Sequence, residues 1–523
     1  MKMFFRKGAG SNLLNKTQNA PAWPFTNYLF MNNTSTSSPL VLMNGPTKEL
    51  VDFIRNANME DAPAEFVWWP QGRASVSRLE KNFPQAKRIK NNTYYLHAFR
   101  PSFPVTKMYG KQFSDRNIKA AIENFPDTWI TQTLQWEQSL AKQQGREVDN
   151  KKYLLAALYL AGAVETLSRE KPDLMLVWGG ARMGEAARVV VAGSYGIPVF
   201  YAERGVFSRS VFLANGPTGP TLMRQESNDT RESYFNTKEQ QNSSPFIEEY
   251  LSNDQSAWGQ PSREDIQILR QRWGIPDTSR IIFYAAQRPE DANTVLYSPH
   301  FASNGACIKH VIAAMRGLKD IALVVKPHPK EPPETDQEIL NVLDVARQGG
   351  LMAVFDRNVN VKAAINAAAV VVSINSTTGF EALLHKVPVV VGGEAHYSHR
   401  GFTFDIQGSG DAEIARLGAF LEKPQYSLTQ QDAFSQFFQR LNREHLFYCE
   451  PMSGQNGPHE FISVLVQAAL QKRSLPKTVP QVLEDITHHS NALLRQYAIL
   501  NPHRNQFTRL KYHILRAIQE RQA

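Results

Sequence analysis

The sequence predicts an α/β protein with two doubly wound units, each built from parallel strands and crossover helices. Two series of short apolar segments alternate with helical patterns, one ending near residue 204 and the other beginning near residue 280. This alternation is typical of parallel sheets that are covered by helices. A chain of 523 residues is also too long for one ordinary hydrophobic core, so two domains are expected.

The first series follows residues 1–37, which we predict to be irregular because Asn, Thr and Ser cluster there. Its predicted strands are residues 39–43, 65–69, 173–178 and 197–201. Its predicted helices are residues 48–57, 151–169 and 183–193. The polar segment 223–262 is predicted to link the two units, so the first domain is placed at residues 1–262.

The second series begins at Arg280 and continues for almost 200 residues. Its predicted strands are residues 281–285, 321–325, 351–355, 368–373 and 388–391. Its predicted helices are residues 305–316, 337–348, 411–447 and 459–472. We place the second domain at residues 263–475 and a helical C-terminal extension at residues 476–523.

Cysteine content and hydropathy exclude several classes of protein. Cys307 and Cys449 are too few for a disulfide framework or a zinc site, and they suit a reducing cytosol. The longest apolar runs are strand-sized, below the roughly 20 residues that a membrane helix needs. Residues 1–14 lack the apolar core of a secretory signal. We therefore expect a cytoplasmic protein.

The net charge of +9 suggests an anionic partner. Part of the excess lies in residues 495–523, where six Lys or Arg residues face one acid, Glu520, and apolar residues recur at helical spacing. This pattern predicts a basic amphipathic helix that binds an anionic membrane surface or packs on its own protein. A nucleic-acid partner is not expected, because no basic patch with interleaved aromatic residues occurs.

The segment Ser373–Leu384 joins two apolar runs through a turn that is rich in hydroxyl side chains. It predicts a buried strand, a turn and a short helix. A helix N-terminus offers unpaired N–H groups and a partial positive charge, and small residues let an anion approach. The residues predicted to bind a nucleotide phosphate here are Ser373, Asn375, Ser376 and Thr377.

Lys326-Pro327-His328-Pro329 ends another predicted strand. Packing alone does not explain an imidazole between two prolines, because proline removes backbone donors. We predict that His328 contacts the phosphate of a bound nucleotide or a carboxylate of the group attached to that phosphate. Lys326 is either a second phosphate ligand or a solvated charge at the end of the strand.

Polar residues follow other predicted strands as well. Gln287 and Asp291 come after 281–285, and Glu203 comes after 197–201. Since ligands of doubly wound folds bind at the carboxyl ends of parallel strands, we expect these side chains to meet in a cleft between the two units.

Taken in order, these elements resemble the retaining β-Kdo transferases of bacterial capsule and lipopolysaccharide assembly, within the capsule polysaccharide synthesis family. The matching elements, within residues 170–410, are Trp178-Gly179-Gly180, Glu203-x-Gly205-x-Phe207, Gln287-x-x-x-Asp291, Lys326-Pro327-His328-Pro329, Ser373–Leu384, and Gly392–Tyr397 with Gly401-Phe402-Thr403. Two departures fall on the expected acceptor side: Gly179 replaces an asparagine, and Asn215-Gly216-Pro217 replaces Gly-Val-Asn.

The resemblance implies a GT-B-like fold and CMP-Kdo as donor in a double displacement. Asp291 would attack the anomeric carbon, and a hydroxyl of a saccharide or lipid-linked acceptor would then displace the enzyme. Lys326, His328 and the helix after Ser376 would stabilise the departing phosphate. Glu381 would hold the ribose. No cofactor or metal is implied.

Each catalytic candidate also has a purely structural interpretation. Asp291 is either the nucleophile or a helix-capping acid. Gln287 either supports Asp291 or is only a polar group at a strand end. Glu203 is either a general base or acceptor contact, or the ion-pair partner of Arg182 or Arg204.

The helix after the hydroxyl-rich turn carries the same ambiguity. Glu381 either binds ribose or completes a capping box with Thr378. Ser376 is compatible with both a phosphate contact and an N-cap. In the loop after residue 392, His396, Tyr397 and His399 are candidates for the lining of the donor pocket.

Other functions use the same residues. A CMP-sialic acid or CDP-glycerol transferase would keep His328 and Ser376 but would not need a nucleophilic Asp291. A non-catalytic polysaccharide assembly protein would keep only the fold, and an α/β protein with an unrelated ligand is the simplest alternative. The preferred hypothesis is a cytoplasmic transferase that is peripheral on the cytoplasmic face of the inner membrane.

Overall fold

The computed structural model describes residues 38–88 with short gaps, 122, 128–143, 151–215 except Ser208, 250–251, and 261–471 except 452–454. The irregular segment predicted at 1–37, most of the predicted linker and the C-terminal extension 476–523 lie outside these residues. The predicted basic helix in 495–523 is therefore also outside them.

The described residues contain thirteen strands, which form two sheets. The strands are β1 Leu40–Asn44, β2 Glu65–Trp69, β3 Lys87–Arg88, β4 Leu174–Trp178, β5 Val199–Arg204, β6 Ser210–Asn215, β7 Arg280–Ala285, β8 Ile321–Lys326, β9 Met352–Phe355, β10 Val370–Ser373, β11 Val389–Val391, β12 Phe404–Asp405 and β13 Leu446–Tyr448.

Helices connect most of these strands. Their bounds are α1 Lys48–Ile54, α2 Arg73–Asn82, α3 Thr128–Gln143, α4 Lys151–Glu170, α5 Met183–Ser194, α6 Ile266–Trp273, α7 Ala292–Leu296, α8 Asn304–Met315, α9 Gln337–Gln348, α10 Val361–Ala367, α11 Thr377–Leu384, α12 Asp411–Glu422, α13 Leu428–Glu444 and α14 Pro458–Gln471. A 3₁₀ turn, Pro333–Asp336, precedes α9.

The second sheet has the strand order β12-β11-β10-β7-β8-β9, and every neighbouring pair is parallel. Strands β8, β10 and β11 are buried along their whole length. Apolar side chains on both faces are typical of a parallel sheet covered by helices on each side. Two hydrophobic clusters, one on each face, form this core.

The first sheet has the order β13-β6-β5-β4-β1-β2-β3 and is parallel from β5 to β3. The predicted GT-B-like architecture of two doubly wound units is thus confirmed. Strand β6, which the sequence analysis did not identify, runs antiparallel to β5 and to β13.

The end of the described chain returns to the first sheet. Strand β13 pairs with β6, and the Phe461 ring of α14 lies 5.2 Å from Phe53 and 5.3 Å from Phe447. The sequence analysis places both β13 and α14 in the second domain, 263–475, whereas in the structure they pack on the first sheet. Hydrophobic periodicity identifies a helix or a strand but not the sheet on which it packs.

The helix predicted over 411–447 is divided into α12 and α13. Pro424 lies between them, where its ring and missing N–H stop a continuing helix. Among the described helices, none is both long and apolar enough to cross a membrane.

Candidate active site at the carboxyl ends of the two sheets

Gln287 and Asn375 are joined by two hydrogen bonds at the carboxyl end of the second sheet. Gln287 Nε2 donates to Asn375 Oδ1 at 2.6 Å, and the Asn375 backbone N–H donates to Gln287 Oε1 at 2.6 Å. Asn375 Nδ2 also donates to the carbonyl of Asn293 at 2.8 Å, which lies in α7. These two residues therefore position the turn before α11 against the helix that Asp291 begins.

Asp291 is the N-cap of α7. Its Oδ1 accepts a hydrogen bond from the Asn293 backbone N–H at 2.8 Å, and its side chain is exposed. The structural interpretation of Asp291 is therefore correct. The nucleophile hypothesis stays open, because the carboxylate remains accessible while one oxygen caps the helix.

Glu203 brings a second carboxylate from the other unit. It is half-buried at the end of β5, and burial, followed by the charges of Asp291 and Glu185, raises its pKa to about 8. The two units meet nearby, where Trp136 Nε1 of α3 donates to the Glu290 carbonyl at 3.3 Å. The charge of Asp291 in the second unit therefore contributes to the raised pKa of Glu203 in the first.

The two arginines considered as partners of Glu203 have other contacts. Arg204 pairs with Glu49 at 2.9 Å, and the Arg182 backbone N–H donates to Glu185 Oε2 at 3.4 Å. Neither arginine contributes to the pKa shift of Glu203. The ion-pair interpretation of Glu203 thus finds no support among these contacts.

Glu185 is a site residue that the sequence analysis missed. It is buried in the first turn of α5, where Oε2 also accepts from the Gly180 N–H at 3.1 Å. A Cβ on Gly179 would lie 3.6 Å from Glu185 Oε2 and 3.9 Å from Glu203 Oε1, so the two carboxylates flank this glycine. An acid three residues after an N-cap signals such a role.

The hydroxyl-rich turn forms as predicted, with Ser376 as the N-cap of α11. Ser376 Oγ accepts from the Thr378 N–H at 3.2 Å, and the Tyr397 hydroxyl donates to the Ser376 carbonyl at 2.5 Å. Thr377 is exposed in the first turn of the helix. The open helix N-terminus is thus accessible at Ser376 and Thr377.

Ser373 and Asn375 have different surroundings from those predicted. Ser373 is fully buried beneath the turn, so a direct contact with a ligand is a prediction that the structure does not support. Asn375 is half-buried and engaged with Gln287 and α7. Its amide therefore stabilises the turn through these hydrogen bonds.

Lys326 and His328 lie where strand β8 ends. Lys326 is 5% exposed, and its Nζ donates to the Arg357 carbonyl at 2.9 Å, so it is not a solvated surface charge. Burial lowers the pKa of Lys326 to about 8, Arg357 adds to this and Asp356 opposes it.

The imidazole of His328 is held by the loop that it begins. Its Nδ1 accepts from the Lys330 backbone N–H at 3.2 Å. Burial, followed by the charges of Arg288 and Lys330, lowers the pKa of His328 to about 4. The ring is therefore neutral at pH 7 and offers a hydrogen bond, while Arg288, which sequence reasoning missed, supplies positive charge nearby.

Glu381 does not form the capping box with Thr378, because the N-cap of α11 is Ser376, two residues before Thr378. Glu381 is 5% exposed, with Tyr250 and Lys362 close to its carboxylate. Burial raises its pKa to about 7, and these two neighbours oppose the rise.

A pocket of about 280 Å³ lies beside the turn. It is lined by Pro299, His300, Gly393, Glu394, His399, Ile406 and Gln407. His399 therefore lines a pocket, whereas His396 and Tyr397 are buried in the core below. Within the described ranges, no group of three or more His, Cys, Asp or Glu side chains is arranged to hold a metal ion.

Residues 210–417 match a family model described as capsule polysaccharide biosynthesis protein. This part of the chain is similar to that family. The matched segment contains the Gln287–Asp291 element, the Lys326–Pro329 element and the turn before α11, so the family resemblance is confirmed. Glu203 and Glu185 lie before it.

Solved structures that match the chain include two of KpsC from Thermosulfurimonas dismutans. The beta Kdo 2,7 transferase shares 19% identity at a TM-score of 0.32, over 59% of this chain and 88% of that chain. The beta Kdo 2,4 transferase shares 15% at 0.33, over 51% and 79%. The S. aureus MnaA-UDP co-structure shares 14% at 0.31, over 81% and 94%. A comparison with curated proteins finds no match.

Proposed function

We propose that the protein is a glycosyltransferase of capsule polysaccharide synthesis that transfers Kdo from CMP-Kdo to a glycan acceptor with retention. The observation that carries this proposal is that the charge of Asp291, an exposed carboxylate of the second unit, raises the pKa of Glu203, a half-buried carboxylate of the first, beside a helix N-terminus that suits a phosphate. The match to the capsule polysaccharide biosynthesis model supports a role in capsule synthesis. The resemblance of individual residues to the β-Kdo transferases supports CMP-Kdo as the donor.

In the first step, an Asp291 oxygen forms a bond to the anomeric carbon of Kdo as the bond from that carbon to the phosphate oxygen breaks. CMP leaves with the electron pair of the broken bond. The N–H groups at the start of α11 stabilise this charge, and His328 offers a neutral hydrogen bond.

In the second step, an acceptor hydroxyl attacks the same carbon and the ester bond to Asp291 breaks. Glu203 is the base that takes the proton of this hydroxyl. Esterification of Asp291 removes one of the charges that raise the pKa of Glu203, so Glu203 releases its own proton to solvent more readily at this stage. The carboxylate pair thus acts in sequence.

The test is intact-mass spectrometry of the protein incubated with CMP-Kdo and no acceptor. We expect the wild type to gain the mass of one Kdo residue and Asp291→Asn to gain none. Asp265→Asn is the matched control, because Asp265 also caps a helix by accepting an N–H at 2.8 Å. The same adduct in Asp291→Asn would contradict the role of Asp291 as the nucleophile.

A wild type that neither binds CMP-Kdo nor releases CMP would overturn Kdo transfer. Incubation with CMP-sialic acid and CDP-glycerol in parallel then tests the two other donor classes that share the His328 and Ser376 elements. Binding of a glycan with no turnover of any donor would favour the non-catalytic assembly protein.

We also propose that the protein attaches peripherally to the cytoplasmic face of the inner membrane through residues 495–523, near a lipid-linked acceptor. The support is the excess of basic residues in this segment. Co-sedimentation with vesicles that contain anionic lipid should fall when residues 495–523 are deleted. Unchanged sedimentation would reject this mode of attachment.

A further inference from the structure

Arg188 is a buried cation at the carboxyl end of the first sheet. It lies in α5 and is 2% exposed. Its Nη1 donates to Asn44 Oδ1, and its Cζ lies 4.0 Å from the centroid of the Trp69 ring. Asn44 ends β1, Trp69 ends β2, and the two residues are register partners in the sheet. The guanidinium is therefore held at the ends of two neighbouring strands.

The charge of Arg188 is not matched by a close acid. Within the described ranges Arg188 forms no ion pair, and a buried cation without one is costly. The acid whose charge reaches it is Glu185, three residues earlier on α5. Glu185 Oε2 accepts the N–H groups of Gly180 and Arg182 instead, and burial raises the pKa of Glu185, which disfavours its charged form.

The shape of the guanidinium indicates the class of anion that would complete it. A guanidinium carries five N–H donors, and the hydrogen bond of Arg188 to Asn44 uses Nη1 alone. Its position over the Trp69 ring favours a cation there and restrains the plane of the group. The remaining N–H groups suit an oxyanion, because carboxylates and phosphates accept two parallel hydrogen bonds from arginine.

The place of Arg188 on the sheet indicates which substrate carries this oxyanion. The strand order β5-β4-β1 puts Asn44 two strands from Glu203, about 10 Å at the usual spacing of neighbouring strands. Between them β4 ends before Gly179, which presents no side chain along this edge. The edge belongs to the first unit, whereas the donor elements belong to the second. The oxyanion is therefore expected on the acceptor, away from the hydroxyl that Glu203 deprotonates.

We propose that Arg188 binds an oxyanion of the acceptor glycan, a sugar carboxylate or a phosphate, on a residue other than the one that carries the reacting hydroxyl. The protein therefore selects acidic acceptors over neutral ones. Asn44 and Trp69 are positioning residues that keep the guanidinium at the sheet edge. This inference rests on the proposed function, because it takes the first unit as the acceptor side.

The test is an array of oligosaccharides in pairs that differ only in charge. Uronic and ulosonic acid oligosaccharides are paired with their methyl esters, and glycosyl phosphates with their dephosphorylated forms. We expect wild type to bind acidic members at least tenfold more tightly than their neutral counterparts, as for hydrogen bonds to a charged group. Whether the carboxylate or the phosphate pairs show this difference identifies the oxyanion.

Two variants act on the guanidinium in different ways. Arg188→Gln removes the charge and should lose about tenfold in affinity for acidic members, while neutral members stay within about twofold. Asn44→Asp keeps Arg188 and gives it a carboxylate of the same shape inside the protein. This variant should remain folded and still lose the acidic members, because the internal carboxylate occupies the guanidinium. Thermal unfolding checks that each variant is folded.

Arg416→Gln is the matched control. Its Cζ also lies over an aromatic ring, 3.9 Å from the centroid of Phe404, but Arg416 pairs with Glu413 at 2.5 Å. The control removes the same charge from the other unit and should bind every member like wild type.

Equal binding of acidic and neutral members by wild type would overturn the inference, as would binding of neither. An equal loss for both classes in Arg188→Gln would show a merely structural role and overturn it as well. The proposed function fails separately: a protein that binds acidic glycans through Arg188 but neither binds CMP-Kdo nor releases CMP would reject the donor and leave the oxyanion site standing.

Discussion

Gln287 and Asn375 hold each other through two hydrogen bonds although they are 88 residues apart in the chain. The Gln287 backbone is fixed in turn by Asn304, whose Nδ2 donates to its carbonyl at 2.7 Å. The two loops that carry Asp291 and Ser376 therefore form one rigid unit. A substitution in either residue should therefore alter the positions of both loops.

Replacing Gln287 or Asn375 by Ala should lower the free energy of unfolding by about 1–3 kcal/mol, because each variant leaves half-buried polar groups without a partner. The double variant should cost less than the sum of the two, since both changes remove the same contact. Urea denaturation measures all three values.

The exposed pair Gln337–Asn341, joined by one hydrogen bond of 2.8 Å, is the matched control. Gln337→Ala should change stability by less than about 0.5 kcal/mol. Strict additivity for Gln287 and Asn375 would contradict the view that they act as a unit.

Glu203→Gln should separate the two chemical steps. The variant keeps Asp291 and the helix N-terminus, so it should form the glycosyl-enzyme, but it lacks the base for the acceptor hydroxyl. Transfer to acceptor should fall by about 10²–10⁴-fold, the usual contribution of general base catalysis. Intact mass should show the adduct persisting when acceptor is added.

Wild type should lose the adduct under the same conditions. Glu49→Gln is a suitable control, since Glu49 is an exposed acid near the same sheet end that pairs with Arg204. Rapid loss of the adduct in Glu203→Gln would mean that another group takes the acceptor proton.

The raised pKa of Glu203 predicts that the protein becomes less stable as pH rises. The pKa is about 8 in the folded protein against 4.5 for the ordinary group, so the folded state binds more protons between these values. The free energy of unfolding therefore falls as pH rises from 4.5 to 8. Glu203→Gln should remove this decline and be more stable than wild type at pH 8.

Glu413 provides a control of opposite sign, because its hydrogen bond with Arg416 lowers its pKa. Glu413→Gln should match wild type at low pH and be less stable once the wild-type carboxylate is ionised. Thermal unfolding at several pH values measures both variants. A Glu203→Gln variant with the pH profile of wild type would contradict the raised pKa.

Gly180 should tolerate no side chain, for two separable reasons. Its φ is +81°, and a Cβ would lie 2.7 Å from the Tyr201 ring. Gly317 has a similar φ of +83° but open space around it. Gly317→Ala therefore measures the backbone strain, about 1–2 kcal/mol, and Gly180→Ala should cost measurably more.

Denaturation of the two variants gives the difference directly. Because Gly180 donates to Glu185, we also expect Gly180→Ala to reduce acceptor transfer, while Gly317→Ala should leave it unchanged. Equal stability losses would mean that Tyr201 moves away freely.

Much of the candidate site followed from local pattern. The hydroxyl-rich turn, its helix and the strand ends that carry Gln287, Lys326 and Glu203 depend on neighbours a few residues away. The contacts that these residues make in the folded protein do not follow from local pattern. That Asn375 engages Gln287, that Lys326 donates to the Arg357 carbonyl, and that Glu185 lies beside Glu203 all depend on contacts between distant segments.

By itself, the sequence determined the types of element and the two alternating series, because periodicity and turn residues act over one or two turns of chain. Tertiary structure decided that β13 and α14 return to the first sheet, since the Phe53, Phe447 and Phe461 rings find a common core only there. It also decided the charge states. His328 is neutral and Glu203 keeps its proton to about pH 8, because desolvation and distant charges arise only when the chain is folded.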